Sequence, residues 1–336
     1  MIVSLFFASL AMSGAVLTPS APAGAAVEPD RHLLCKESIL RRARNGEVEI
    51  AYRTAGDRTG EPLLMIPGSG MQLVDWPQPL VDDLVRAGYY LIMPDPRDAG
   101  CSTKLDELGP PDWPRVLADL AAGRSASLAY DARDLVSDMA AVLDAEGLAS
   151  AHLLGASGGA VIGEVMAIER PGLARSLTLL MANAGNPSRA LPARPDVMAP
   201  VAQGPTSTDG KIVEAYLMRL EKVLAGPKAA SDIVLLSRAR TRIARGYSAD
   251  GVQRQGAAFL AAGDLRHGLA EISVPTVVIH GAEDPLIPVE AAEDVARAIP
   301  GARLEIVPGS GHSLDESMVA ASLAALEARS TASRRR

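Results

Sequence analysis

The chain has 336 residues, 48% hydrophobic and 22% charged, which is material for one large α/β domain with an insertion or for two modest domains. Its net charge of −7 argues against nucleic acid as a partner, because phosphate binding asks for a basic surface. Aromatic residues make up only 3%, so the core has to be aliphatic; the two cysteines, Cys35 and Cys101, supply neither a disulfide framework nor a metal-ligand spacing and read as free thiols.

Residues 1–26 stand apart in composition. Ile2 to Leu17 is apolar and rich in small residues, and Ala23-Gly24-Ala25-Ala26 offers an Ala-x-Ala cleavage pattern. The run is too short and weak for a stable membrane insertion. An export signal is the expectation, and with it a secreted or extracytoplasmic protein; the alternative is a poorly ordered tail on a cytoplasmic one.

From Leu33 onward the pattern is that of a folded domain. Ile39–Arg44 and Glu47–Thr54 alternate at strand period and are joined by Asn45-Gly46, a hairpin signal. Leu63–Ile66 reads as a buried strand that breaks at Pro67-Gly68-Ser69-Gly70. A helix over Pro79–Ala87 and a strand over Tyr89–Met93 follow, then the loop Asp95-Pro96-Arg97-Asp98-Ala99-Gly100-Cys101-Ser102. Pro110-Pro111-Asp112-Trp113-Pro114 marks an irregular insertion, and Tyr130–Leu143 an amphipathic helix.

The next strand ends in Gly155-Ala156-Ser157-Gly158-Gly159, and apolar residues at helical spacing follow to Glu169. Gly-x-Ser-x-Gly between strand and helix puts Ser157 on a sharp turn. A phosphate cradle is the competing reading of such a turn. However, no Gly-Lys-Ser/Thr occurs, and the following strand, Ser176–Met181, ends without the acidic residue of a dinucleotide site. Strand and helix alternation means a parallel sheet covered on both faces. It lapses over residues 186–271, where only helices are predicted, at Lys211–Leu224, Ala229–Ala244 and Gly251–Ala262. It resumes with the strand Thr276–Ile279, the helix Glu290–Ala298, the strand Arg303–Val307 and a last helix near Ser313–Glu327.

A serine hydroxyl near neutral pH needs a base within hydrogen-bond reach. Of the five histidines, His32 lies beside the export segment, His152 opens the Ser157 strand and so lies at its wrong end, and His267 closes the helical stretch. His280 suits a structural role at the end of its strand. His312, in the loop Pro308–His312 after the last strand, shares the sheet edge where Ser157 lies and is the candidate base. A carboxylate must hold that base in one tautomer. Gly281-Ala282-Glu283-Asp284-Pro285 follows the preceding strand, and Asp284, held extended by Pro285, is preferred over Glu283. Attack on a carbonyl makes an oxyanion that needs donors in place. The candidates are the backbone N–H groups of Gly158 and of Ser69. Trp76 and Met71 are candidate substrate-binding residues. Glu164 reads as a paired scaffold acid, and Arg97 and Asp98 as partners that fix their loop.

The elbow at Ser157, the Asp95–Ser102 loop, which fits Asp-x-Arg-x-x-Gly-x-Ser, and the Ser–Asp–His order together resemble the α/β-hydrolase family over about residues 33–326. Within it, Ile66-Pro67-Gly68, the Asp95–Ser102 loop and the helical stretch look like actinomycete esterases of the anthracycline methylesterase type. The resemblance implies a mostly parallel eight-stranded sheet with helices on both faces. Its core would span residues 33–185 and 272–330, and residues 186–271 would form a helical cap inserted after strand 6. It also implies ester hydrolysis through an acyl-enzyme, without cofactor or metal, on a small-molecule ester, by a monomer or homodimer. Relatives read His-Gly where this chain has Pro67-Gly68, and many carry a bulky residue where Gly158 stands, which bears on pocket shape. Cofactor-free haloperoxidase (perhydrolase) and carbon–carbon bond hydrolase use the same triad. A non-catalytic ligand-binding protein on this fold is the alternative of another class.

Overall fold

In the computed structural model, residues 35, 39–185, 197, 201 and 204–333 are described. The expected export segment and His32 lie outside them. Strand β1 (Arg41–Asn45) turns back on β2 (Val48–Ala55) with Asn45 opposite Val48. The two turn residues are therefore Gly46 and Glu47, one later than Asn45-Gly46. Gly46 at φ 59° supplies the left-handed conformation that such a turn needs.

The remaining strands are β3 (Glu61–Ile66), β4 (Tyr89–Pro94), β5 (Ala151–Ala156), β6 (Ala174–Leu180), β7 (Thr276–Gly281) and β8 (Arg303–Val307). They form one eight-stranded sheet in the order β1-β2-β4-β3-β5-β6-β7-β8. Strand β2 is antiparallel to both neighbours, and the six from β4 to β8 run parallel. Strands buried on both faces read as unbroken apolar runs, as Leu63–Ile66 and Tyr90–Met93 do.

Two apolar layers sandwich this sheet. On one face, α1 (Gln78–Arg86) contributes Leu80, Val81 and Leu84, and α10 (Glu316–Ser333) contributes Met318, Val319 and Leu326. On the other lie α3 (Ala132–Ala145), α4 (Gly158–Glu169) and α9 (Val289–Ala298), with Leu135, Met139, Ile162, Met166 and Val295. Helix α3 starts where Asp131 accepts the N–H groups of Arg133 and Asp134, which satisfies donors the helix cannot use itself. Asp315 does the same for Ser317 and Met318, so the last helix begins at Glu316 and leaves residues 312–314 as loop.

One helix escapes the sequence pattern. Residues 113–121 form α2 (Trp113–Ala121) in the stretch expected to be irregular. Its prolines sit before the helix or in its first turn, where a missing N–H costs nothing. Asp112 caps it through the N–H of Arg115.

Between β6 and β7 the described chain is helical: α5 (Gly210–Ala225), α6 (Asp232–Ala244), α7 (Ala249–Ala261) and α8 (Arg266–Leu269). Helices α5 and α6 share a small core of Val213, Tyr216, Leu217 and Ala239. Ion pairs among the described residues fasten the segment to the sheet domain, with Arg245–Asp95, Arg254–Asp98 and Arg242–Asp75 at 2.7–2.8 Å. No helix among the described residues is long and apolar enough to cross a membrane.

Candidate active site

Ser157 sits between β5 and α4 at φ 53°, a left-handed conformation that costs a non-glycine residue strain of about 1–3 kcal/mol. The neighbours hold it there. A Cβ on Gly155 would overlap the backbone of Gly159, and one on Gly159 would overlap the carbonyl of Ile66. The first glycine lets the arms of the turn close, and the second lets the turn lie against β3. Ser157 N–H donates to Leu180 O at 2.8 Å, which locks the turn to β6 as well.

The loops that follow β5, β7 and β8 meet at this rim. His312 Nε2 lies 3.0 Å from Ser157 Oγ, and His312 Nδ1 lies 2.7 Å from Asp284 Oδ2. A carboxylate can only accept, so the imidazole proton belongs on Nδ1, and Nε2 is left to accept from the serine hydroxyl. Asp284 Oδ1 accepts the N–H groups of Leu286 and Ile287 at 2.9 and 2.8 Å. Burial pushes the Asp284 carboxyl upward, but His312, His280 and the Ile287 N–H together outweigh it and hold the group below its ordinary range. Glu283, the competing acid, is exposed.

The other described histidines stand elsewhere or behind. His152 pairs with Ser176 Oγ at 2.8 Å near the start of β5, and His267 is exposed on α8. His280 is fully buried; its Nε2 donates to Ile287 O at 2.8 Å and lies 3.5 Å from Asp284 Oδ2. Burial lowers its pKa, so it supports the Asp284 turn as a neutral ring.

The turn after β3 lies against the elbow, with Gly68 packed on the Ser157 Cβ. Met71 N–H donates to Gly68 O at 3.1 Å, Gly68 N–H faces Met71 Sδ at 3.3 Å, and Gly70 N–H donates to Gln255 Oε1 at 2.8 Å. Among the described residues the Ser69 N–H has no acceptor. Gly158 N–H, the first of α4, has none either. These two backbone N–H groups, one next to Gly68 on the turn against Ser157 and one directly after Ser157, are thus without acceptors among the described residues.

The model of the alpha/beta hydrolase fold family matches residues 61–314, from β3 to just past His312. The chain belongs to that family. It is 28% identical to a rhodomycin D methylesterase from Streptomyces peucetius, across 82% of this chain and 92% of that one. A putative carbamate hydrolase from Azorhizobium caulinodans is 27% identical across 80% and 90%. Among solved structures, an esterase from Rhodococcus superposes with a TM-score of 0.68 at 22% identity, covering 87% of this α/β hydrolase and 98% of the esterase.

Several residues take other places than the sequence suggested. Arg97 and Asp98 do not pair with each other. Arg97 forms a two-pronged pair with Asp138 at 2.6 and 2.7 Å, and Asp98 takes Arg254 together with the Tyr130 hydroxyl. Adjacent side chains diverge here because Asp98 has a left-handed backbone, φ 67°. Glu164 is not paired: both oxygens are buried without a partner among the described residues, and burial alone pushes its carboxyl well above the ordinary range. Trp76, expected to line the pocket or to pack under the cap, is 4% exposed and packs with Leu73, Leu80 and Leu84. Met71 stays at the turn, its sulfur against Gly68.

The cysteines are not free thiols. Cys35 and Cys101 form a disulfide. Nothing in two cysteines 66 positions apart announces a bond, but β1 lies beside β2 and β2 beside β4. That order brings the residue before β1 to the loop after β4, where Arg42 spans the Cys35 and Cys101 carbonyls.

The helical insertion also reaches the site, through residues that no local signal marked. The Phe259 ring of α7 fills the space beside Gly158 where a residue after the serine would carry its side chain. At the other loop, His312 N–H donates to Leu224 O at 2.8 Å, at the end of α5. Lys228 Nζ reaches Pro308 O, Ser310 Oγ and Ser317 Oγ at 3.1, 3.3 and 2.8 Å.

Proposed function

We propose that this α/β hydrolase cleaves carboxylic esters through an acyl-enzyme on Ser157. The observation that carries this reading is the unbroken hydrogen-bond chain Asp284–His312–Ser157, next to two unused backbone N–H groups. As Ser157 Oγ attacks the ester carbonyl, His312 Nε2 takes its proton, and the charge on the imidazolium is met by Asp284. The carbonyl oxygen becomes an oxyanion that accepts from Ser69 and Gly158 N–H. Collapse expels the alcohol, which takes the proton from His312. Water then attacks the acyl carbon as His312 removes its proton, and the acid leaves. The helical insertion, the cap of this reading, bounds the pocket through Phe259. The methylesterase among the relatives makes a methyl ester the first substrate to try.

The test is hydrolysis of short-acyl, long-acyl and methyl esters. Ser157→Ala and His312→Ala should each lower kcat by about 10⁴-fold or more with the melting temperature kept near that of the parent. Asp284→Asn should follow them, whereas Glu283→Gln should leave the rate unchanged. A Ser157→Ala protein that keeps most of its activity sinks the assignment. We also place the protein in an oxidising compartment. The Cys35–Cys101 bond and the export-like residues 1–26 support this, since structural disulfides persist outside the reducing cytosol.

A further inference from the structure

Helix α7 grips the turn that holds the Ser69 N–H. Gln255, only 1% exposed, accepts the Gly70 N–H through Oε1 at 2.8 Å and donates from Nε2 to Arg97 O at 2.7 Å. Val252, one turn earlier, rests its side chain against Gly70, and its carbonyl takes the Ser69 hydroxyl at 3.4 Å. Arg254 anchors the same helix turn, 3% exposed and bound to both oxygens of Asp98 at 2.8 and 2.7 Å. The amide of Gln255 therefore has one hand on the turn after β3 and the other on the loop after β4.

A four-residue turn at the surface has several ways to point its N–H groups. In this one, Gly70 N–H is engaged by Gln255, Met71 N–H by Gly68 O, and Gly68 N–H faces a thioether. Engaging Gly70 does two things. It removes Gly70 from the donors a substrate could meet, and it pins the turn so that Ser69 N–H stays where Ser157 needs it. We infer that Gln255, on the helical insertion, is a positioning residue of the oxyanion hole and acts on the reaction through the Ser69 N–H. This rests on the ester-hydrolase reading, and it makes the insertion part of the catalytic apparatus as well as a wall of the pocket. Donors aimed beforehand cost no reorganisation as charge develops, which is why a group that only aims them affects the rate.

The experiment compares Gln255→Met, which keeps the length of the side chain and removes both hydrogen bonds, with Ser69→Pro, which removes the donor and places proline where a turn favours it. For a p-nitrophenyl ester, Gln255→Met should lower kcat about 10- to 100-fold, less than outright loss of a donor, with KM little changed. Affinity for a trifluoromethyl ketone, which adds to Ser157 as an oxyanion, should fall by the same factor as kcat/KM. In the Ser69→Pro background the Gln255→Met change should add almost nothing, because its route to the reaction is already cut. An equal loss in both backgrounds, or a loss in KM alone, would overturn the inference. Should Gln255→Met fail to fold, Gln255→Asn, which keeps the amide but withdraws it by one methylene, is read by the same criteria. Labelling separates the two claims. If a fluorophosphonate does not modify Ser157 in the parent protein, the ester-hydrolase reading fails. If it modifies the parent and Gln255→Met at equal rates, only the Gln255 inference fails.

Discussion

Two carboxylates near the elbow show how surroundings decide what one functional group can do. Asp284 is buried beside an imidazole and two N–H donors, so it stays ionised. Glu164, about two turns along α4 from Ser157, is buried beside no donor among the described residues, and burial pushes its carboxyl well above the ordinary range. Its folded value lies above the ordinary value of 4.5, so the unfolded chain ionises first as pH rises. Stability is therefore lost progressively above about pH 4.5. Glu164→Gln, neutral at every pH, should match the parent's melting temperature in acid and exceed it increasingly as pH rises above about 4.5. Parallel melting curves across that range would show that Glu164 finds a partner when ionised.

Among elements, α7 does the most to join the two halves of the molecule. It carries Arg254 to Asp98, Gln255 to the turn after β3 and Phe259 to Gly158. The last contact puts the Phe259 ring in the space that a side chain at position 158 would take. Gly158→Ala should therefore overlap the Phe259 ring and destabilise the protein by about 1–3 kcal/mol. Phe259→Ala should relieve most of that penalty, so that the double variant melts close to Phe259→Ala alone. Additive losses, measured by thermal melting of the four proteins, would mean that the ring and the added methyl do not meet.

At the scale of the whole molecule, three long-range fastenings hold the site together. Arg245–Asp95 and Arg254–Asp98 are buried ion pairs between insertion and sheet domain, and removing one partner of such a pair costs about 3–5 kcal/mol. The disulfide is the third. It closes a loop of 66 residues, for which chain entropy alone gives a stabilisation of about 4 kcal/mol. Cys101 also lies between Gly100 and Ser102 in the loop whose Asp95 accepts the N–H groups of Leu73 and Cys101. Reduction should thus lower the melting temperature, and Cys35→Ser/Cys101→Ser should melt at the reduced parent's temperature whether or not reductant is present. A melting temperature indifferent to reductant in the parent would remove the bond from the stability account.

Much of this protein is written along the chain. The strand order of events, the elbow at Ser157, the helical insertion between β6 and β7 and the loops bearing Asp284 and His312 are all local matters of apolar period, glycine placement and proline breaks. Such signals need only neighbours within a few residues. Helix α2 was hidden because proline reads as a breaker unless its place in the first turn is known. The partners of Arg97 and Asp98, the unpaired burial of Glu164, the packing of Trp76 and the Cys35–Cys101 bond were not legible at all. Neither were Gln255 and Phe259, which look like ordinary polar and apolar positions on an amphipathic helix. Each depends on which segments the sheet order and the docking of the insertion bring within a few ångströms of each other. Periodicity says which face of a helix is buried; only the folded chain says against what.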